Sequence, residues 1–112
     1  MVPPPLAPLG EFELLVLLAV ARLRTAAYPL SIRDEIEART RRAASRPAVF
    51  ITLERLEEKG LLSSRYGEPT PIRGGRAKRF FTPTPDGLRA VRHSLQTVAA
   101  LTEGLEPLLR KP

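Results

Sequence analysis

Between Ser45 and Gly87 the chain switches from helical to strand-like periodicity and back, and that order restricts the fold more than any other feature. At 100° per residue, Val49, Leu53 and Leu56 share one face with Thr52 at its border, Pro47, Ile51, Glu54 and Glu58 lie opposite, and Phe50 and Arg55 flank. Pro47 suits a first helical position and biases Arg46 towards an extended cap, while Gly60 suits the left-handed residue beyond a helix end. The pattern predicts a helix over 47–59 with Ile51 exposed. Leu61 to Tyr66 and Lys78 to Thr82 then read as two strands. The intervening 67–77 segment is too long and proline-rich for a tight hairpin turn. The predicted unit is a helix followed by a hairpin with an extended tip, a wing.

The flanks add three helices. Met1 to Pro8 contains four prolines and no charge, so 1–8 is expected to be a flexible arm. From Leu9 to about Arg24 a helix is expected, with Glu11 and Glu13 complementing its N-terminal dipole. Its body, Leu14 to Ala21, is apolar on every side, which implies either a central core helix or a second surface covered by another subunit. Ser31 is expected to cap a second helix reaching about Thr40, with Ile32 and Ile36 as its inward edge. Thr84-Pro85-Asp86 is a strong helix start. Beyond it Leu88, Val91, Leu95, Val98, Thr102, Leu105 and Leu109 recur at alternating spacings of three and four, a coiled-coil-type seam. Gly104 and Pro107 should end that seam beyond Glu103.

A chain of 112 residues fits one domain. With no cysteine it has neither a disulfide framework nor a thiolate metal site, which suits a reducing compartment. The longest apolar run is far shorter than the roughly 20 residues of a membrane span, and no basic region precedes it as in a secretion signal. The expectation is a cytoplasmic protein without a membrane partner. Eighteen Lys and Arg against twelve Asp and Glu leave a formal net charge of +6, which favours polyanions, nucleic acid above all. The charge is concentrated. Arg41, Arg42 and Arg46 fall in a segment without an acid, and Arg73, Arg76, Lys78 and Arg79 place four cations within seven residues. Gly74-Gly75 lets the backbone approach a sugar-phosphate surface closely. Taken alone, the first cluster could also be a solvated turn, and Gly-Gly a flexible tip. An exposed Ile51 beside arginines suits apolar contact with thymine methyl groups in a major groove. It could also be a core residue assigned to the wrong face. Glu54 and Glu58 repel phosphate, so only the first half of that helix is expected to approach DNA.

Enzyme chemistry is poorly supported, because His93 is the sole histidine and the Glu57-Glu58 carboxylates point apart on a helix. No cofactor or metal is expected. A membrane-surface protein would carry a basic amphipathic helix, whereas these cations lie in loops. A protein-interaction module on the same scaffold stays open as the alternative.

Three segments together resemble the PadR family of bacterial winged-helix transcriptional regulators: Tyr28-Pro-Leu-Ser-Ile-Arg-Asp-Glu-Ile36, Ala48-Val-Phe-Ile-Thr-Leu-Glu-Arg-Leu-Glu-Glu-Lys-Gly-Leu-Leu62 and Gly74-Gly-Arg-Ala-Lys-Arg-Phe-Phe-Thr-Pro-Thr-Pro-Asp-Gly87. The likeness covers about 9–100. It implies a mainly α fold with a small β-hairpin (α+β), a winged helix-turn-helix over 9–83, and a C-terminal dimerisation helix and tail over 84–112. It also implies a homodimeric repressor of double-stranded DNA, with the third helix in the major groove and the wing on the backbone or minor groove. The expected DNA-binding residues are Arg41, Arg42, Ser45, Arg46, Pro47, Phe50, Ile51 and Arg55, with Arg73, Gly74, Gly75, Arg76, Lys78 and Arg79 from the wing. The expected dimer interface is Phe12, Leu15 and Leu18 of the first helix with Leu88, Val91, Leu95, Val98, Thr102 and Leu105 of the last. A small-molecule effector is left open. The chain departs from the family pattern at Pro47, usually glycine, at Phe50, usually tyrosine, and at Pro83, usually leucine and here expected to shorten the second strand by removing a ladder donor. These departures bear on affinity and operator choice more than on fold.

Overall fold

Side-chain caps decide where the helices begin in the computed structural model, which describes residues 8–68 and 77–110. At the start of α1 (Glu11–Leu23) the Gly10 amide donates to Glu13 Oε1 at 2.9 Å. α2 (Pro29–Thr40) starts two residues before the expected cap: Ser31 Oγ accepts from the Tyr28 amide at 3.0 Å and donates to the Ala26 carbonyl at 2.6 Å. The hydroxyl caps from inside the first turn, and Pro29 supplies the first helical φ. α3 (Arg46–Glu58) starts one residue earlier than expected, because Ser45 rather than Arg46 is the cap; its Oγ accepts from the Ala48 amide at 3.2 Å. Gly60, at φ 76°, is the expected left-handed residue beyond its end.

α1, α2 and α3 pack around Val16, Leu17, Val20, Ile32, Leu53 and Leu56, all buried, each side chain contributing roughly 1.5–3 kcal/mol by leaving water. The core face of α3 is the expected one: Val49, Thr52, Leu53 and Leu56 are its buried residues. A hairpin of β1 (Leu62–Tyr66) and β2 (Arg79–Pro83) closes one side, antiparallel, with Ser64 opposite Phe81 and Tyr66 opposite Arg79. The Phe81 amide donates to the Ala27 carbonyl at 2.8 Å, hooking β2 to the segment between α1 and α2. Pro83 does not shorten β2. It is the terminal ladder residue, opposite Leu62, and the Thr84 amide makes the next bond, to the Leu61 carbonyl at 3.1 Å.

α4 (Pro85–Thr102) begins at the expected signal, with Thr84 Oγ1 accepting from the Gly87 amide at 3.0 Å and donating to the Gly60 carbonyl at 2.7 Å. Gly87 and Ala90 are its buried residues, and a Cβ on Gly87 would lie 2.0 Å from the Leu61 carbonyl oxygen, so only glycine permits this approach. That contact orients the helix. Val91 therefore turns towards its own domain, whereas Leu88, Leu95 and Val98 are exposed, and the predicted seam divides between two faces. From Leu95 to Leu101 every residue is exposed. The Cα radius of gyration, 16.4 Å, exceeds the roughly 13 Å of a compact domain this long. The helix stops at Thr102 with Glu103 as its cap, one residue short of the limit expected beyond Glu103, and Gly104 at φ 85° leads into the short α5 (Glu106–Leu109). The fold is thus mainly α with one small hairpin, as the sequence implies. The arm up to residue 7 and the wing tip 69–76, with Arg73, Gly74, Gly75 and Arg76, lie outside the described residues.

Candidate nucleic-acid interface

The turn between α2 and α3 is held from both sides. Arg41 adopts φ 58°, its amide donating to the Glu37 carbonyl at 2.9 Å, and Thr40 Oγ1 accepts from the Arg42 amide at 3.1 Å. Glu37 accepts from the buried Ala44 amide at 3.0 Å, and Arg33 Nε donates to the Ala44 carbonyl at 2.9 Å. This bracing leaves Arg41 and Arg46 exposed, and neither has an ion-pair partner among the described residues. Arg42 pairs with Glu11 and lies 5.6 Å above the Phe12 ring. Both groups of that pair are solvent-exposed, so breaking it costs at most about 1 kcal/mol.

Along α3 the outward row begins apolar and ends acidic. Phe50 is 51% and Ile51 54% exposed, and Pro47 is exposed one turn earlier. Phe50 shares an open cleft of about 300 Å³ with Arg46 and with Pro29 and Leu30 at the start of α2, Leu30 being 41% exposed. Pro29 and Leu30 were not among the expected site residues. Their signal lies in the sequence, since Leu30 falls some 200° around the helix from the inward Ile32.

The second half of α3 is different. Glu54 and Glu57 both accept from the Arg79 guanidinium, which also donates to Ser64 Oγ at 3.1 Å and stacks 4.9 Å above the Phe81 ring. Ser64 Oγ in turn donates to Glu57 Oε2 at 2.7 Å. Burial disfavours the charged guanidinium, but the two carboxylates outweigh it and hold its pKa above the ordinary arginine value. Arg79, expected as a phosphate ligand, is instead committed within the fold. The physical reason is strand alternation: it lies two residues from the buried Phe81 and shares its inward face, towards α3. Arg55 lies near Glu13. Burial raises the Glu13 carboxyl, yet Lys59 Nζ donating at 2.8 Å, the Gly10 amide and the charges of Lys59 and Arg55 hold it below its usual range.

At the wing base, Lys78 Nζ sits 4.2 Å from the centroid of the Tyr28 ring, Tyr28 meets Phe80 edge-on at 5.7 Å, and Arg65 lies 4.9 Å above Phe80. Lys78 and Arg65 are both exposed, and Arg65 is a further cation that sequence reasoning passed over. Cation–π contact gives each a defined position and keeps its charge. Of the residues expected at a dimer interface, Phe12 and Val91 pack half-buried against the chain's own core. Leu15 and Leu18 line a cleft of about 170 Å³ between α1 and α2, closed at its rim by Arg22 and Arg39, which both donate to Glu35 and hold its carboxyl below the usual range. Leu88, Leu95, Val98 and Leu105 are exposed, Thr102 partly so. Among the described residues no cluster of His, Asp and Glu could hold a metal ion, and no helix is long and apolar enough to cross a membrane.

No protein-family model and no curated protein matches the sequence. Solved structures do match the fold. A PadR family transcription regulator from hypervirulent Clostridium difficile R20291 superposes with a TM-score of 0.72 at 20% identity, over 90% of this chain and 100% of its own. A PadR-like transcription factor from Bacteroides fragilis gives 0.73 at 20% identity, over 88% of this chain and 90% of its own. A PadR family transcriptional regulator from Eggerthella lenta DSM 2243 gives 0.67 at 24% identity, over 91% and 88% respectively. Along nearly its whole length, this chain has the fold of the PadR transcription regulators.

Proposed function

We propose that this protein is a homodimeric, sequence-specific DNA-binding transcriptional regulator, acting in the cytoplasm as a repressor and without enzymatic activity. The observation that carries the reading is the outward row of the first half of α3: Arg46, Pro47, Phe50 and Ile51 are exposed in the absence of any acid, on a helix whose inward row is fully buried. That surface suits entry into a major groove, with the first helical turn meeting base edges. Arg41, Arg42, Ser45 and Arg46 would engage the flanking phosphates, and Lys78 with Arg73, Gly74, Gly75 and Arg76 of the wing would follow the backbone or minor groove. The likeness in fold to regulators of transcription supports the same assignment.

Residues 9–83 form the DNA-binding unit in this reading, and 84–112 the dimerisation helix and tail. Leu88, Leu95, Val98 and Leu101 are large apolar side chains left exposed on α4, and Leu101 is 78% exposed. A second copy burying these residues against its own α4 and against Leu15 and Leu18 would remove that surface from water and set two recognition helices about one turn of duplex apart. Salt-titrated binding to duplex DNA tests the function. The affinity should fall log-linearly with salt, by about 0.9 in log K per log unit of salt for each phosphate neutralised. A flat response would refute it. Sedimentation at micromolar concentration should give a dimer, and a monomer would refute the α4 interface.

A further inference from the structure

We propose that the Pro29-Leu30-Arg46-Phe50 cleft reads 5-methyl groups of pyrimidines, so that the protein prefers duplex DNA carrying thymine at the positions facing it; this rests on the DNA-binding reading above. The cleft opens between the first turns of α2 and α3, the two helix starts that meet DNA in a helix-turn-helix. Its walls are apolar except for Arg46, and Leu30, Phe50 and the adjoining Ile51 form an exposed apolar surface. Arg46, exposed and without an ion pair among the described residues, lines it with positive charge. A polyanion therefore brings the occupant, and the occupant must itself be apolar. Base edges in the major groove present hydrogen-bonding atoms and flat C–H positions, and the one apolar group that projects into the groove is the C5-methyl of thymine. An aromatic or aliphatic side chain there cannot discriminate by hydrogen bonds, but it discriminates by methyl contact. At about 300 Å³ the cleft admits the methyl-bearing edge of a base rather than a methyl carbon alone.

Phe50 gives the contact its selectivity. A phenolic hydroxyl at this position could turn to a phosphate, whereas a phenyl ring gains only by covering apolar surface. The same chemistry predicts that 5-methylcytosine, which carries its methyl group at the same groove position, substitutes for thymine in part.

The test compares four probes under one low-salt condition: an alternating A·T duplex, the same duplex with deoxyuridine for every thymine, and an alternating G·C duplex with and without cytosine C5-methylation. Removing the thymine methyls should weaken binding about fourfold for each methyl contacted, and methylating cytosine should strengthen it. In Leu30→Ser and Phe50→Ser proteins both differences should collapse towards unity. Leu30 is 41% and Phe50 51% exposed, so each variant should lose only part of a buried side chain's contribution, and thermal unfolding run alongside confirms that the comparison is made on folded protein. Equal binding to the thymine and deoxyuridine duplexes, with binding itself intact, would overturn the methyl-reading inference while leaving the DNA-binding function in place. So would a deoxyuridine penalty that persists undiminished in both variants, since the methyls would then be read elsewhere. No binding to any duplex would overturn the functional reading and this inference with it.

Discussion

In its first turns α3 exposes Arg46, Pro47, Phe50 and Ile51, whereas its last turns carry Glu54, Glu57 and Glu58, the first two already bound by Arg79 from the wing. One helix thus offers a cationic, apolar surface at its start and an acidic, internally satisfied one at its end. In the proposed DNA-binding role, the difference would let the helix be anchored at one end while its other end stays open. The hairpin grips the end that would repel phosphate and neutralises part of it. That grip joins the Phe81–Ala27 backbone bond and the Ser64–Glu57 hydrogen bond in fixing the hairpin strands against the helical core. The anchoring end is then a matter of stability and the open end a matter of affinity, and substitutions should separate the two.

The largest effect is expected at the open end. Replacing Arg41 and Arg46 together by alanine should weaken duplex binding on the order of a hundredfold at low salt and reduce the salt slope by about two, with the melting temperature little changed. A fall in stability with unchanged binding would reverse the assignment. At the anchored end, Arg79→Ala leaves two partly buried carboxylates facing each other and should cost about 1–3 kcal/mol in chemical denaturation. Its salt slope should stay within about half a unit of the parent, because the Arg79 guanidinium is already held by Glu54 and Glu57. A slope reduced by a full unit would restore the role that sequence reasoning gave it.

Why sequence reasoning misplaced Arg79 is instructive. Its partners lie 25 and 22 residues away. Local charge density put it with Lys78 and Arg76, whereas strand alternation, equally visible, put it with Phe81. The inward row of α3, the Gly60 stop and the Thr84-Pro85 start were all legible, because helical period and capping act within a few residues. Ser31 was recognised as a capping residue but assigned the wrong position, since its hydroxyl can close a first turn from either side. The cleft was not legible as a whole: it joins Leu30 to Phe50, and no periodicity connects two helices. The division of the α4 seam was also hidden, because the close approach of Gly87 to Leu61 is a tertiary contact that rotates the helix.

A smaller effect is expected at Glu13, the buried carboxylate tied to Lys59 just beyond α3. Its pKa is lowered on folding, so its contribution to stability is present above the ordinary carboxylate range and is lost as pH falls through that range and then through the folded value. Lys59→Met should therefore cost about 1 kcal/mol near neutral pH. The difference from the parent should shrink as the carboxyl is protonated, and urea titrations along a pH series will show whether it does. A gap that widened towards acid would have the wrong sign. Smallest of all in energy is Ile51→Ala, expected to change stability by less than about 0.5 kcal/mol while altering which duplexes are preferred.

The most direct test of the division along α3 is an amide chemical-shift titration of the whole protein with duplex DNA. Perturbations should concentrate at Ser45 to Ile51, with Leu30 and Lys78 following, and little change is expected from Glu57 to Gly60. Perturbations centred on Glu57 to Gly60, with Ser45 to Ile51 unmoved, would contradict it.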